Sequence, residues 1–316
     1  MKTTTKWMLP AMLALFLAVA FAAACGNVGS SGSGGEGPAI TVGSKNFTEQ
    51  LVLGEMYSLT LEEEGFNVEE RLDLGSIQIA DRALQNGQID VYPEYTGSAL
   101  VAIFGVEPED YPEDPEATLE EVRDLYSERD PSGTMLAQTN FENTYGIVVR
   151  REIAEEFDIE TLEDLAEVSN ELTFATFSEF QERADGFLNM EENYPNLDFG
   201  DILIVNDIGL KYGGLENGEA DAAIGFTTDL QFDQEEFVIA EDTKDIWPSY
   251  YPAPVIRQDY LDENPEVEEV LNSVSEATPD AAGMRDLIRR VDEDQEDPED
   301  VAREYLAGEG VIESGE

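Results

Sequence analysis

The chain has 316 residues, and 71 acidic against 17 basic side chains give it a formal net charge of −54. Such an excess of negative charge argues against nucleic acid or an anionic membrane surface as a partner. A single cysteine and the absence of histidine exclude disulfides, histidine catalysis and metal centres built on these residues.

The acidity predicts a surface adapted to strong salt rather than a disordered chain. Hydrophobic residues make up 41% of the sequence, and strand and helix patterns alternate regularly, which favours a folded core. In roughly 1 M salt the Debye length falls to about 3 Å, so crowded carboxylates no longer repel one another at range. We therefore expect an exported protein of a salty habitat that loses its fold in dilute buffer.

The first residues predict an export signal followed by a tether. Two lysines precede an apolar run over 7–24, and small residues then lead into Cys25. This ending resembles a bacterial lipoprotein signal, which implies a lipid on Cys25 after cleavage; a simple secreted protein or an uncleaved anchor are the alternatives. Residues 26–38 form a Gly/Ser-rich tether. Within it, 32–37 matches the dinucleotide fingerprint, but no strand precedes the match, so we assign no nucleotide site.

The first folded segment predicts a strand, a loop and a helix. A strand over 40–43 leads through a short loop to a helix over 49–64, with Thr48 as its N-cap. The corner between them suits an anion, because unpaired N–H groups and the helix dipole point towards it. Lys45 lies in this loop, where it either meets a ligand or pairs with a protein carboxylate. A second strand follows at 68–74, and the next helix begins at 75.

One stretch occurs twice, and the rest of the chain is organised around it. Residues 84–98 and 215–229 match at a constant offset of 131. Each copy predicts a helix that ends at Asn-Gly, a short strand, an aromatic residue and a threonine, Thr96 or Thr227, that caps a following helix. Ligands bind at such strand ends in open α/β sheets, so the repeat predicts two similar lobes around a shared cleft. An ordinary structural repeat without a ligand is the alternative.

The second half of the chain predicts two crossovers between lobes and one further cation. The first crossover runs through 143–145, and the second is a charge-free stretch, 246–256, with three prolines. Arg183 follows a predicted strand in the second lobe, as Lys45 does in the first; a local salt bridge to Glu179 or Asp185 is its alternative. Residues 292–303 are acidic but lack the glycine and glutamate of a calcium-binding EF-hand loop, so we expect no metal there.

Several aromatic residues and the two cations fall at strand ends or crossovers. Aromatic faces attract a methylated ammonium, and lysine or arginine matches a carboxylate. The sequence therefore predicts a pocket for a small zwitterion, built from Tyr95, Tyr145, Phe226, Tyr250, Lys45 and Arg183.

These segments together resemble one protein family. The resemblance rests on the segments ITVGSKNFTEQ, LQNGQIDVYPEYTGSAL, FENTYGIVV, FQERADG, GFTTD and WPSYYPAPVI. The chain resembles, over nearly all of 39–310, the substrate-binding proteins of glycine betaine/choline/carnitine-type ABC transporters. The resemblance implies an α/β type II periplasmic-binding fold with two lobes around a hinged cleft. Lobe I would comprise 39–142 and 250–316, and lobe II 143–249.

The resemblance also assigns roles to residues. Tyr95, Tyr145, Phe226 and Tyr250 would form an aromatic cage, with Lys45, Arg183 and Ser98 at the ligand's carboxylate. Phe226 departs from the family pattern, in which tyrosine is usual, so we expect the cage to persist with altered affinity or preference. Keeping both cations favours a carboxylate ligand over choline.

The implied protein captures its ligand and catalyses no reaction. It would be a lipid-anchored monomer facing the periplasm or exterior, without cofactors, that delivers glycine betaine or a related osmoprotectant to an ABC permease. A receptor of the same fold for choline, carnitine or another small cation or amino acid is the first alternative. A secreted hydrolase that uses paired carboxylates is a remote one.

Overall fold

The computed structural model describes residues 37–112, 114–205 and 211–313. The predicted signal, the lipidation site Cys25 and nearly all of the tether lie outside these ranges. In the described ranges, no helix combines the length and the apolar character that crossing a bilayer would require.

The strands of the described chain form two five-stranded sheets, with strand orders β2-β1-β3-β10-β4 and β7-β6-β8-β5-β9. The strands are β1 (Ala39–Gly43), β2 (Asn67–Arg71), β3 (Val91–Tyr95), β4 (Gly133–Met135), β5 (Tyr145–Arg150), β6 (Thr173–Phe177), β7 (Asp201–Val205), β8 (Ala222–Phe226), β9 (Phe237–Ala240) and β10 (Pro252–Arg257).

The helices connect and cover these strands. They are α1 (Thr48–Glu63), α2 (Ile77–Gln85), α3 (Thr96–Ser98), α4 (Pro115–Ser127), α5 (Arg151–Phe157), α6 (Leu162–Val168), α7 (Ser178–Glu182), α8 (Phe187–Asn193), α9 (Gly213–Glu216), α10 (Gln258–Glu263), α11 (Glu266–Ala277), α12 (Ala281–Asp292) and α13 (Pro298–Glu309).

The first sheet combines both ends of the folded chain. Strands β2, β1 and β3 are parallel, whereas β10 enters from the C-terminal part and runs antiparallel to β3. One core cluster joins β1 to α1, α11, α12 and α13, and a second lies among α2, α4, β3 and β10. Because both faces are covered, β3 is buried at every position, as is typical of a central strand.

The second sheet repeats this plan. Strands β6, β7 and β8 are parallel, and β5 runs antiparallel to β8, with Tyr145 opposite Phe226. Its core contains Phe174, which stacks on Phe199 with ring centroids 4.5 Å apart. The two repeat copies thus end in equivalent central strands, β3 and β8, one in each sheet.

Two connections, 136–144 and 241–251, link the sheets, and they hydrogen-bond to each other. The backbone N–H of Asn143 donates to the Tyr250 carbonyl at 3.0 Å, and that of Tyr250 donates to the Glu142 carboxylate at 2.9 Å. The predicted lobe limits at 142/143 and 249/250 fall within these connections. Such paired connections form a hinge at which few backbone angles must change.

The repeated threonines do not cap helices, contrary to the prediction. Thr96 donates its hydroxyl to the Ser249 carbonyl and accepts from the Tyr251 N–H, so it binds the second connection. Thr227 does the same to the first connection, through the Glu142 carbonyl and the N–H of residue 144. Each strand end is thereby fastened to the hinge, and this long-range pairing has no local sequence signal.

Other boundaries moved by a few residues. Thr48 was predicted as the N-cap of α1, but that position is taken by Phe47, and the Thr48 hydroxyl donates to Asp292 at 2.6 Å. The second strand ends at Arg71, earlier than predicted, because the positive φ of Asp73 and Gly75 breaks the extended backbone. Gly65, also at positive φ, follows the end of α1, within one residue of the predicted helix end at 64.

Candidate functional site

A cleft of about 380 Å³ lies between the two sheets, next to the hinge. Strand ends, the loops that follow them and the hinge itself supply its walls. The lining residues are Lys45, Asn46, Phe47, Gly75, Ser76, Ile77, Tyr95, Ser98, Asn143, Tyr145, Phe177, Ser178, Glu179, Arg183, Phe226 and Tyr250.

On the side of the first sheet, a buried ion pair lies against an aromatic ring. The Lys45 ammonium is 2.5 Å from the Glu94 carboxylate and 4.4 Å from the centre of the Tyr95 ring. Glu94 also accepts hydrogen bonds from the Tyr92 hydroxyl and the Tyr95 N–H. Burial lowers the pKa of Lys45, and the charge of Glu94 opposes that effect. The lysine therefore lines the cleft and pairs with a protein carboxylate at the same time.

The Tyr95 ring is held by its hydroxyl as well. At the end of β3, its hydroxyl donates to the Glu49 carboxylate in the first turn of α1 at 2.5 Å. The Asn143 side-chain amide donates to the same Glu49 oxygen at 3.0 Å, which links α1 to the hinge. The corner that was predicted to suit an anion therefore contains the protein's own carboxyl group.

On the side of the second sheet, aromatic rings cluster around Tyr145. The ring of Phe226 stacks on it with centroids 5.5 Å apart and planes inclined by 28°, and Tyr250 meets it edge-on at the same distance. Trp247 and Phe180 complete the surroundings at 5.7 and 4.9 Å. The β5–β8 register places Tyr145 and Phe226 side by side, since directly opposite residues of antiparallel strands share a sheet face.

The hinge supplies Tyr250, whose position depends on Gly97. A Cβ atom on Gly97 would lie 2.8 Å from the Tyr250 ring and from the Ser249 carbonyl, so only glycine allows this approach. The Tyr250 hydroxyl donates to Asp185. Burial raises the pKa of Tyr95, Tyr145 and Tyr250, so these rings stay neutral at ordinary pH.

Arg183 also lines the cleft and carries its own counter-ion. Its guanidinium donates two hydrogen bonds to Asp185, at 2.7 and 2.5 Å, and its remaining nitrogen lies 3.9 Å from Glu179. The same guanidinium lies 5.8 Å from the Tyr145 ring. Both cations that were predicted from the sequence are therefore in the cleft wall, and both are paired with acidic groups.

A third buried cation, Lys211, lies against Phe226. Its ammonium is 4.3 Å from the Phe226 ring centre and 2.8 Å from Asp229, which also accepts from the Tyr212 hydroxyl and the Phe226 N–H. Sequence reasoning did not single out Lys211, although it is one of three lysines beyond the predicted signal.

All seven predicted ligand-binding residues line the one cleft: Tyr95, Tyr145, Phe226, Tyr250, Lys45, Arg183 and Ser98. Sequence reasoning missed Phe47 and Phe177, each of which follows or ends a strand as Tyr95 does. It also missed Glu49 and Glu94, the carboxylates bonded to Tyr95 and Lys45, whereas Asp185 had been named as a possible salt-bridge partner of Arg183. In a chain with 71 acids, no local pattern separates Glu49 and Glu94 from the solvated majority.

Comparison with known proteins gives one answer across the folded chain. Residues 38–308 match the family model described as the substrate-binding domain of ABC-type glycine betaine transport systems. A glycine-betaine-binding protein of Pseudomonas aeruginosa is 32% identical over 288 residues, which is 88% of this chain and 90% of the relative. A carnitine transport binding protein of Listeria monocytogenes is 29% identical over 289 residues, covering 90% and 91%.

A solved structure shows the same architecture. A crystal structure titled as a glycine betaine/carnitine/choline ABC transporter superposes with a TM-score of 0.70 at 25% identity, covering 86% of this chain and 99% of that one. The predicted α/β fold of two lobes, of the periplasmic-binding class, is thereby confirmed. By its sequence match and its fold, the chain belongs to the family of substrate-binding domains of ABC-type glycine betaine transport systems.

Proposed function

We propose that this protein binds glycine betaine, or a closely related methylated ammonium solute, in the cleft between its sheets. Tyr95, Tyr145, Phe226 and Tyr250 form the aromatic cage around the ammonium. The observation that carries the proposal is their convergence on one cleft from two strand ends, a strand start and the hinge.

The physical reason is the attraction between a cation and the face of an aromatic ring. Each well-placed ring contributes about 0.5–2 kcal/mol once water is excluded. Three of the four rings are nearly inaccessible to solvent: Tyr95 is 5% exposed, Tyr145 7% and Tyr250 3%. A quaternary ammonium has no N–H donor, so apolar aromatic walls hold it without leaving polar groups unpaired.

The carboxylate end of the ligand is bound by Lys45, Arg183 and Ser98. Lys45 has further N–H donors beside the one directed at Glu94, and the third nitrogen of Arg183 is not engaged by Asp185. Choline is the second candidate ligand, because the two cations are already balanced by Glu94 and Asp185 and do not require a ligand carboxylate.

Cargo transfer completes the proposed function. The protein acts outside the cytoplasmic membrane as a monomer, held by a lipid on Cys25, and it delivers its ligand chemically unchanged to an ABC permease. The absence of histidine and the membership of a transport family both favour binding without catalysis.

The test is a calorimetric titration in molar salt with glycine betaine, proline betaine, carnitine and choline. We expect saturable 1:1 binding of at least one of them, recovered unaltered, and loss of binding in Tyr145→Ala. Tyr305→Ala is the control, because Tyr305 packs on the first core cluster and does not line the cleft. If none of the four ligands binds the folded protein, the proposed function is wrong.

A further inference from the structure

Glu49 is a buried carboxyl group directly behind a cage ring. It is 2% exposed and lies in the first turn of α1, where the helix dipole stabilises negative charge. Its oxygen Oε1 accepts from the Tyr95 hydroxyl and the Asn143 amide. Its other oxygen, Oε2, is buried and has no hydrogen bond of ordinary geometry in the described part of the chain, although the Thr228 hydroxyl lies near enough to the carboxyl group to lower its pKa.

Glu49 has no counter-ion, in contrast to three other carboxylates near the cleft. Glu94 is paired with Lys45, Asp185 with Arg183 and Asp229 with Lys211. In the described ranges, no lysine or arginine lies within 4.0 Å of Glu49, and its hydrogen-bond donors are neutral. A buried carboxylate without a compensating cation is costly, so its charge requires a partner.

The hydrogen bond to Tyr95 connects this charge to the ligand. A short O–H···O bond to a carboxylate polarises the phenol and raises the electron density of its ring. Within a water-poor site, the carboxylate also attracts a cation on the ring face at one ring's distance. Neither effect requires Glu49 to touch the ligand.

We propose that Glu49 is the counter-charge of the aromatic cage: it acts through the Tyr95 hydroxyl to favour a permanently charged ammonium over a neutral group of the same shape. It is a positioning and charge-supplying residue rather than a contact residue. The inference rests on the proposed function, since it presupposes a cationic ligand at Tyr95.

The coupling between ligand binding and the ionisation of Glu49 makes the proposal measurable. Burial raises the pKa of Glu49, against the hydrogen bonds that oppose this effect. A bound ammonium favours the ionised form and lowers that pKa, so binding releases a proton and tightens as pH rises. The other charged groups that line an adjoining cavity with Glu49 are Lys211, Glu216 and Asp229, next to the second sheet, and Asp292 and Glu293 at the end of α12. Lys45 lies over the Tyr95 ring, and Glu94 accepts from the Tyr95 backbone N–H.

The experiment compares wild type with Glu49→Gln, which keeps an acceptor for the tyrosine hydroxyl. Glycine betaine is titrated calorimetrically in molar salt from pH 5 to pH 8, in buffers of different ionisation enthalpy. We expect glutamine to weaken binding about tenfold at pH 8, to abolish proton release and to bring the two affinities together at pH 5. A purely structural role would weaken binding by the same factor at every pH.

Glu55→Gln is the matched control. Glu55 lies on the same helix, and burial together with the neighbouring acid Glu70 raises its pKa to about 8, but it does not line the cleft. Its replacement should leave the pH dependence of binding intact. A double-mutant cycle with Tyr95→Phe gives a second test: the effects of the two substitutions should not add, because both break the same link.

The outcomes separate the two proposals. If wild type binds betaine with the same pH dependence and proton release as Glu49→Gln, Glu49 is not the counter-charge, although the proposed function stands. If the Tyr95→Phe and Glu49→Gln losses add fully, the link through the hydroxyl is likewise wrong. Failure of the wild-type protein to bind any of the ammonium ligands overturns the proposed function itself.

Discussion

The two copies of the repeated segment have the same backbone role and different side-chain chemistry. In both, a central strand ends in an aromatic residue, and the next threonine fastens that end to a hinge connection. In the first copy, the Tyr95 hydroxyl is bonded to Glu49 and Lys45 lies over the ring. In the second, Phe226 has no hydroxyl, and Lys211 lies over its ring.

The comparison distinguishes the threonine contacts, which the hinge requires, from the aromatic residues, which ligand binding requires. The threonine contacts are equivalent because both strand ends must meet the same pair of connections. The aromatic positions are free to diverge, since a cage requires ring faces but not identical rings. We infer that Tyr95 is the dominant ring of the pair and that Phe226 is an auxiliary wall.

The largest expected effects on ligand affinity come from removing the Tyr95 ring or the Phe226 ring. Tyr95→Ala should weaken glycine betaine binding by at least about 30-fold, because it removes a ring and its link to Glu49. Phe226→Ala should cost about fivefold, since a lysine lies over each ring but Phe226 has no hydroxyl linked to a buried carboxylate. Calorimetric titration of both variants measures the ratio, and equal losses would contradict the ranking.

The two strand ends and the aromatic residues near them were predictable from the sequence, whereas most of the pairings made by the buried carboxylates were not. The repeat at a fixed offset predicted two matching strand ends, and the aromatic residues near them follow from local order along the chain. Asp185 could be named as a partner of Arg183 because it lies two residues away, whereas Glu94 is 49 residues from Lys45 and pairs with it only after folding. The role of Glu49 could not be predicted from local sequence, because its partners Tyr95 and Asn143 are 46 and 94 residues away.

The hinge contacts offer an intermediate perturbation. Thr96→Val and Thr227→Val each remove two hydrogen bonds at a strand end, and each should lower the free energy of unfolding by about 1–3 kcal/mol. Because the contacts are equivalent, the two losses should agree. Chemical denaturation in molar salt measures them, and a loss confined to one variant would show that the copies are not equivalent at the hinge.

The hydroxyl groups give the smallest and most selective perturbation. Phe226→Tyr should change betaine affinity by less than about threefold, because ring area and cation attraction are nearly those of phenylalanine. Tyr95→Phe should cost more, since it breaks the bond to Glu49. Calorimetric titration with glycine betaine compares the affinities of the two variants. Similar effects of gaining one hydroxyl and losing the other would argue against a special role for Tyr95.

The central claim is that the cleft recognises a positive charge through aromatic faces. It is tested most directly by titrating the wild-type protein in molar salt with glycine betaine and with 3,3-dimethylbutanoate, in which carbon replaces the charged nitrogen. We expect betaine to bind at least about 30-fold more tightly, because shape and carboxylate are shared and only the cation differs. Equal affinity for the two would contradict the claim and reduce the rings to an apolar wall.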